Sequence, residues 1–205
     1  MQAQVIINPI AGPGRRAPIG ACRDLARRVL ESQGYHADVR ITTGPDDAAA
    51  FARDAVTNGA DLVVVWGGDG TVNGAASSVA GTGVPLAIIP GGSGNGLARD
   101  LQIPLQAEAA FQVAATGRVR RIDAGELDGS LFFNVAGIGL DARIAARMAA
   151  PGARRGLLGY IQSTLAELGT YEPVSYSIRG ARDVTGQSHL PDLVDQAALF
   201  IALAN

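Results

Sequence analysis

One acidic residue stands among glycines in the stretch WGGDGTVN, residues 66–73. Asp69 follows Gly67 and Gly68, and the polar residues Thr71 and Asn73 come shortly after it. Phosphate oxygens repel a nearby carboxylate unless a divalent cation lies between them. Mg²⁺ commonly binds through one or two carboxylates together with substrate phosphates. The spacing therefore indicates a phosphate and magnesium site with Asp69 on the metal.

Asp69 has a second interpretation as the N-cap of a helix, in which the glycines only shape a turn. Three glycine-rich loops weigh against it, because NPIAGPG, GGDGT and PGGSGN each follow a predicted strand. Glycine lets backbone N–H groups approach a ligand closely. Loops that end at a helix N-terminus bind anions through those amides and the helix dipole. We therefore expect these loops to bind phosphate.

The basic residues support backbone-built phosphate binding. All 17 of them are arginine, and the sequence contains no lysine. A Walker A loop needs its lysine, so a standard P-loop nucleotidase is excluded. The main-chain amides of the glycine loops are then the expected phosphate donors.

Alternating strands and helices must position these loops. Short, continuously apolar runs predict strands at 4–8, 37–41, 61–66 and 85–89. Helical spacing and turn signals predict helices at 17–33, 45–58, 71–80, 96–101 and 106–116. Continuously apolar strands between helices are typical of a parallel sheet covered on both faces. Ligands bind at the carboxyl edge of such sheets, where the glycine loops lie.

The pattern changes after about residue 117. A β-hairpin is predicted over 119–136, with Asp128–Gly129 as its turn. Helices follow at 141–149 and 156–168, the second with its apolar residues on one face, and strands follow at 174–178 and 197–204. We place a domain boundary near residue 122, which gives domains of 1–122 and 123–205. The last strand ends the sequence as ALFIALAN, so we expect the second domain to be incomplete here.

Composition limits the class of protein. Of the 205 residues, 47% are apolar and 18% are charged, which is ordinary for a soluble globular protein. A net charge of −2 gives no sign of nucleic-acid binding. The lone Cys22 rules out an internal disulfide, so a cytoplasmic location is the default, and its place on the apolar face of a helix predicts a core position.

Two other motif interpretations are weak. Gly12, Gly14 and Ala17 match a dinucleotide fingerprint, but the acidic residue expected after the second strand is missing. The loop GGSGN resembles a nucleophile elbow around Ser93, but Asn95 stands where that motif requires glycine. The chain also has only two histidines, at positions 36 and 189, and both are expected at the surface.

Four motifs carry a resemblance to a known family: VIINPIAGPG, GGDGTVN, PGGSGNGLAR and IDAGELDGSLFFNVAGIGLDARIA. Their order and spacing resemble the diacylglycerol kinase catalytic domain superfamily, which includes bacterial lipid kinases, diacylglycerol kinases, sphingosine kinases and ceramide kinases. The motif GGDGT also occurs in NAD kinases and 6-phosphofructokinases. The resemblance implies an α/β fold with a parallel-sheet nucleotide-binding domain of that type. An antiparallel β-sandwich domain for lipid would follow, with ATP in the cleft between them.

The resemblance also assigns site residues. The implied nucleotide contacts are Asn8, Thr42 (or the adjacent Thr43), Gly67, Gly68, Asp69, Gly70, Thr71, Val72, Asn73 and Ser93. Asp69 is the implied catalytic residue, and Asp69 and Asp123 are the implied metal ligands. Residues 132–141 would line the lipid site.

The implied function is an ATP- and Mg²⁺-dependent lipid kinase. It would transfer the γ-phosphoryl group to a hydroxyl of a diacylglycerol- or sphingoid-type lipid, at the inner face of the membrane, with a homodimer as one option. Gly74 and Gly96 replace a glutamate and an aspartate that many members carry, and GSGNGLA is nearer the sphingosine-kinase-like branch.

Two alternatives remain open. In the family the general base lies beyond position 205, so one alternative is a nucleotide-binding regulatory module without catalysis. The other is a small-molecule kinase of the NAD kinase type. Two interpretations apply to the arginines at 143, 147, 154 and 155. They contact anionic lipid headgroups, or they form a solvated helix face, and the second interpretation is simpler and is favoured.

Overall fold

A computed structural model of the chain describes residues 1–11, 18–150, 157–178 and 193–204. These residues form two compact units, Met1–Asn134 and Val135–Ala204. The division between the two units falls within the predicted hairpin of 119–136, between residues 134 and 135. The assignment of nucleotide and lipid domains to these parts of the chain stays a prediction.

The first unit is built on a four-stranded parallel sheet in the order β2-β1-β3-β4. Its strands are β1 (Gln2–Ile7), β2 (His36–Ile41), β3 (Leu62–Gly67) and β4 (Leu86–Pro90). Its helices are α1 (Ile19–Ser32), α2 (Asp47–Thr57), α3 (Asp69–Val79), α4 (Gly96–Asp100) and α5 (Ala107–Thr116). Because all four strands are parallel, their carboxyl ends and the loops that follow lie at one edge of the sheet. The predicted parallel sheet is therefore confirmed.

Alternate residues of the strands enter two separate cores, one on each face of the sheet. Val5 and Ile7 pack with α1 and α5, whereas Ile6 packs with α2 and α3. On the first face the Trp66 and Phe111 rings meet edge to face, with centroids 5.3 Å apart. Cys22 is buried in the same core, as predicted. Helices cover both faces because strands that are apolar at every position leave neither face for water.

A short hairpin closes the first unit. Strands β5 (Gly125–Leu127) and β6 (Ser130–Phe132) pair antiparallel around the turn at Asp128 and Gly129, both of which have positive φ. The hairpin is shorter than predicted. The predicted second strand, 131–136, divides between β6 and a strand of the second unit.

The second unit contains two antiparallel strand pairs and two helices. Strand β7 (Val135–Gly139) pairs with β10 (Phe200–Ala204), and β8 (Val174–Ile178) pairs with β9 (Leu193–Ala198). The single strand predicted at 197–204 is wrong, because β9 and β10 are separate strands with different partners. The helices are α6 (Leu140–Ala149) and α7 (Leu157–Leu168). With the parallel sheet before it, this unit confirms the α/β fold class.

Three residues on the predicted apolar face of helix α7 are exposed to solvent. Ile161, Leu165 and Leu168 are exposed, whereas Ser163 and Glu167 are buried. Glu167 accounts for the orientation, since its carboxylate lies against two arginines of α6. Within the described residues, no helix is long and apolar enough to cross a bilayer.

Candidate active site

The site begins where the strand order reverses beside β1. The chain leaves β1 for β2 on one side and returns to β3 on the other, and in open α/β sheets ligands bind at such a point. There the Asn8 side chain, just after β1, donates from Nδ2 to Thr71 Oγ1 of α3 at 2.8 Å. Asn8 Oδ1 in turn accepts the Ile10 N–H at 3.1 Å. One side chain thus ties the loop after β1 to the start of α3.

Gly67 makes room for Thr71 in this arrangement. A Cβ at Gly67 would lie 2.6 Å from Thr71 Cβ and 2.9 Å from Thr71 Oγ1, closer than such atoms can approach. A side chain at Gly67 would therefore displace the hydroxyl that Asn8 holds. The position of Thr71 therefore requires glycine here. The backbone conformation of Gly67 does not require it, because its φ is not positive.

Within the described part of the chain, no side chain accepts from the first-turn amides of helix α3 at this edge. Gly68 is its N-cap residue and has no side chain with which to cap the helix. The N–H groups of the first turn lack partners within a helix, and here they belong to Asp69, Gly70 and Thr71. Val72 donates the first intrahelical hydrogen bond, to Gly68 O at 3.0 Å. With the positive end of the helix dipole, these amides can hold an anion.

The Asp69 carboxylate joins this turn to the loop after β4. Its Oδ2 accepts the Asn95 N–H at 2.9 Å, and its Oδ1 accepts the Gly96 N–H at 2.7 Å. Asp69 therefore holds the start of α4 and does not cap its own helix. The residue is exposed. Each carboxylate oxygen has a lone pair beyond the one that its amide uses, so the group can still bind a cation.

The loop after β4 is held closed by its own side chains. Asn95 Oδ1 accepts the Gly92 N–H and Asn95 Nδ2 donates to Gly92 O, both at 2.8 Å, while Asn95 takes a left-handed conformation with φ 55°. A Cβ at Gly92 would lie 2.6 Å from Gly68 Cα, and one at Gly94 would lie 2.8 Å from Asp69 Oδ2. The glycines therefore let the two loops touch.

The loop after β2 is closed in a similar way. Asp47 Oδ2 accepts the Thr43 N–H at 2.6 Å, the Thr43 hydroxyl at 2.9 Å and the Gly44 N–H at 2.9 Å. Those hydrogen bonds, with a smaller contribution from the Arg40 charge, lower the pKa of Asp47. Thr42 is buried, and its N–H donates to Ile7 O at 2.9 Å. The role of Thr42 or Thr43 in binding a nucleotide stays a prediction.

The other predicted site residues occupy different environments. Val72 is buried in the core, so its side chain faces no ligand. Asn73 Nδ2 donates to Leu131 O in β6 at 3.2 Å. Ser93 and Asp123 are exposed. Within the described part of the chain, no three acidic, histidine or cysteine side chains group as a metal site. A metal on Asp69 and Asp123 stays a prediction.

Three residues of the edge were missed from the sequence: Asn95, Arg99 and Asn134. Arg99 Nε donates to Gly94 O at 2.9 Å. Asn134 Nδ2 lies where a side chain at Gly96 would begin, 2.6 Å from the position of its Cβ. The residue type of Asn95 is itself an indication, because asparagine tolerates the left-handed conformation that this residue adopts before α4. Arg99 and Asn134 lie inside two of the quoted family motifs, and Asn134 lies inside the predicted lipid lining of 132–141, but no local pattern assigns either of them to this edge.

The weak fingerprint match at positions 12, 14 and 17 lies outside the described residues, as do two of the four arginines weighed for headgroup contact, 154 and 155. The other two lie on α6. Arg147 Nη1 donates to Glu167 Oε1 at 2.9 Å, and Arg143 Nε lies 3.0 Å from Oε2 in an ion pair that lacks hydrogen-bond direction. Both side chains remain about half exposed.

Comparison with known proteins identifies the family. The model of the diacylglycerol kinase catalytic domain matches residues 2–127. A protein of Mycobacterium tuberculosis (strain H37Rv) named "Diacylglycerol kinase" is 34% identical over 91% of this chain. A Chromohalobacter salexigens protein named "Probable lipid kinase YegS-like" is 34% identical over 83%. The chain spans 62% and 57% of the length of these two relatives.

Comparison with solved structures agrees with this family assignment. A crystal structure of a diacylglycerol kinase from Bacillus anthracis (strain Sterne) matches all of this chain and 64% of its own, with a TM-score of 0.71 at 25% identity. The family match covers the whole parallel sheet and the glycine loops after β3 and β4. The chain belongs to the diacylglycerol kinase catalytic domain family.

Proposed function

We propose that this chain carries the nucleotide site of an ATP-dependent lipid kinase, which transfers the γ-phosphoryl group of ATP to a lipid hydroxyl. The observation that carries the proposal is the open first turn of α3, beside the exposed Asp69 carboxylate at the carboxyl edge of the sheet. Membership of the diacylglycerol kinase catalytic domain family supports it. In this proposal residues 1–122 bind the nucleotide and residues 123–205 contribute to the lipid domain.

The phosphates would be held mainly by the main chain. The N–H groups of Asp69, Gly70 and Thr71 donate to phosphate oxygens, and the helix dipole adds to their attraction. Asn8 fixes the Thr71 hydroxyl, and Gly67 and Gly68 keep side chains out of the path of the phosphates. Ser93, in the neighbouring loop, and Thr42 complete the proposed contacts. Phosphoryl transfer depends mostly on such positioning and on charge stabilisation.

Asp69 and Asp123 are the residues that would hold Mg²⁺. The donor set fits this ion, because carboxylate oxygens are its usual protein ligands and one or two suffice when phosphates supply the rest. The amide hydrogen bonds to Asp69 fix the direction of its remaining lone pairs. When bound, the ion neutralises charge that develops on the phosphates.

The proposed acceptor is a lipid hydroxyl of the diacylglycerol or sphingoid type, met at the inner face of the membrane. The relatives named as diacylglycerol kinases favour the first of these. Residues 132–141 are the proposed lining of the lipid site.

The test compares wild type with Asp69→Asn. Calorimetry measures binding of Mg·ATP, and transfer from γ-labelled ATP to a panel of lipids measures activity. We expect wild type to bind Mg·ATP, and transfer by the variant to fall on the order of 100-fold, the loss usual for a group that stabilises transition-state charge. Asp24→Asn, which removes the same charge from an exposed position of α1, is the matched control.

The alternatives give different results. Tight Mg·ATP binding without transfer to any lipid would indicate a regulatory module. Protection against heating by NAD⁺, without lipid phosphorylation, would indicate a small-molecule kinase. Absence of nucleotide binding would refute the proposal.

A further inference from the structure

Among the described residues, Arg99 is a cationic side chain that hydrogen-bonds to a glycine loop. Its Nε donates to Gly94 O at 2.9 Å, and Gly94 lies directly against Asp69, since a Cβ there would be 2.8 Å from Asp69 Oδ2. One hydrogen bond and the close packing of Gly94 against Asp69 therefore connect Arg99 to the residue that begins α3. The side chain is exposed, so its guanidinium reaches solvent at this edge.

The contact with Gly94 uses only one of the donors that Arg99 carries. A guanidinium has five N–H groups, and four of them belong to the two Nη atoms. Several other arginines form ion pairs with carboxylates: Arg28 pairs with Glu108, Arg40 pairs with Asp54, and Arg143 and Arg147 share Glu167. Among the described residues no carboxylate forms an ion pair with Arg99. Its charge and its Nη donors remain available to an anion from solution.

Phosphate is the anion that this arrangement suits. The α3 amides supply partial charges only, and because the chain has no lysine, a full charge has to come from an arginine. Arginine binds phosphate with two parallel N–H donors, and these charge-assisted hydrogen bonds are stronger than those of neutral amides. The hydrogen bond to Gly94 O restricts the rotation of the side chain, so less entropy is lost when an anion binds.

We propose that Arg99 is a phosphate-binding residue of the nucleotide site and supplies the full positive charge that a P-loop lysine supplies elsewhere. This inference rests on the proposed function. It differs from a purely structural role, in which Arg99 would only hold the loop after β4 through Gly94 O.

Four variants separate the two roles. Arg99→Ala removes both the charge and the hydrogen bond. Arg99→Gln keeps an N–H donor for Gly94 O but loses the charge, and Arg99→Lys keeps the charge but loses the fork. Arg53→Ala is the matched control: Arg53 is an exposed arginine of α2 that bonds Ser78 near the far end of α3, roughly 15 Å from its first turn.

Calorimetry with ATP and with AMP, each with Mg²⁺, measures the effect. For Arg99→Ala we expect ATP affinity to fall about 10-fold or more and AMP affinity to fall less. Arg99→Gln should match Arg99→Ala, Arg99→Lys should retain part of the ATP affinity, and Arg53→Ala should behave as wild type. Thermal unfolding by circular dichroism establishes that each variant is folded.

Several results would overturn the inference. Wild-type affinity in Arg99→Gln, with loss in Arg99→Lys, would show that Arg99 only supports the loop. Unchanged ATP affinity in all three variants would also overturn it while leaving the proposed function standing. Failure of the wild-type protein to bind ATP would refute both the proposed function and the proposed role of Arg99. A last experiment measures cosedimentation of wild type and the Arg99 variants with vesicles of phosphatidylglycerol and phosphatidylcholine. If the variants sediment less than wild type but bind ATP with unchanged affinity, Arg99 binds a lipid headgroup instead.

Discussion

The loops after β2 and β4 are closed by aspartates, whereas the loop after β3 is open. Asp47 accepts the amides of Thr43 and Gly44, and Asp69 accepts those of Asn95 and Gly96. At the start of α3 no described side chain takes the first-turn amides. The loops after β3 and β4 are equally rich in glycine. What separates them is whether a carboxylate already occupies the donors, so glycine content alone does not identify an anion site.

Asp69 belongs to both kinds of loop. Its N–H is one of the open amides of α3, whereas its carboxylate closes the loop after β4. A displacement of one loop must therefore be felt in the other. This coupling gives Asp69 a positioning role in addition to the proposed metal contact, and it means that substitutions in the closed loop should weaken binding at the open one.

Substitution of Gly92 by alanine should have the largest effect on the contact between the open loop after β3 and the closed loop after β4. The new Cβ would lie 2.6 Å from Gly68 Cα, a backbone atom, and 3.1 Å from Asn95 Oδ1. Overpacking of this kind costs about 1–3 kcal/mol, and here it forces the two loops apart. We expect lower stability in urea denaturation together with weaker binding of Mg·ATP in calorimetry.

Gly74→Ala is the control for that substitution. Gly74 lies inside α3, and its nearest prospective neighbour is Ala49 Cβ at 4.0 Å, an ordinary contact. Alanine in a helix is favoured over glycine by about 0.5–1 kcal/mol, so this variant should be slightly more stable than wild type. If Gly92→Ala were as stable as Gly74→Ala, the loops would not be in the close contact described.

Much of the first unit could be predicted because its signals are local. Strands that are apolar at every position predicted a sheet covered on both faces, and the burial of Val5 and Ile6 in different cores bears this out. The order of strands and glycine loops placed the candidate site at one edge. The position of Cys22 in a helical stripe predicted its burial.

The rest depends on contacts between distant residues. Helix α7 has an apolar stripe that predicted burial, but Glu167 turns its polar side inward through arginines about 20 residues away in sequence. The hydrogen bonds of Asp69 join residues whose separation of 26 and 27 positions no local pattern encodes. The start of α3 at Asp69 instead of residue 71 has the same origin, since tertiary contacts hold the first turn.

Asn95 separates two contributions to the closed loop. Asn95→Gly loses both side-chain hydrogen bonds to Gly92 but keeps free access to the left-handed conformation at φ 55°; Asn95→Ala loses the bonds and is strained as well. Each lost hydrogen bond costs about 0.5–1.5 kcal/mol, and the left-handed conformation costs an alanine roughly 1 kcal/mol more than a glycine. We expect stability to fall in the order wild type, Asn95→Gly, Asn95→Ala in urea denaturation. Equal losses in the two variants would mean that the left-handed conformation is not kept in solution.

Asp47 gives the smallest effect, and it appears only in acid. Hydrogen bonds from the Thr43 and Gly44 amides lower the pKa of this carboxyl below its ordinary value of 3.8. A lowered pKa in the folded state stabilises the protein above the unfolded pKa, and this stabilisation is lost as pH falls through the folded value. Stability of wild type should therefore decline below about pH 4 more steeply than that of Asp47→Asn, as measured by urea denaturation at each pH.

The adjacent Asp46 offers a matched control, because it lies just before α2 and makes no side-chain cap. Asp46→Asn should keep the acid dependence of wild type, whereas Asp47→Asn should lose part of it. If the two variants had the same pH profile, the carboxylate would not be closing the loop after β2. The Thr43 and Gly44 amides would then be free to bind an anion, and the loop after β2 would join the α3 turn as a candidate phosphate site.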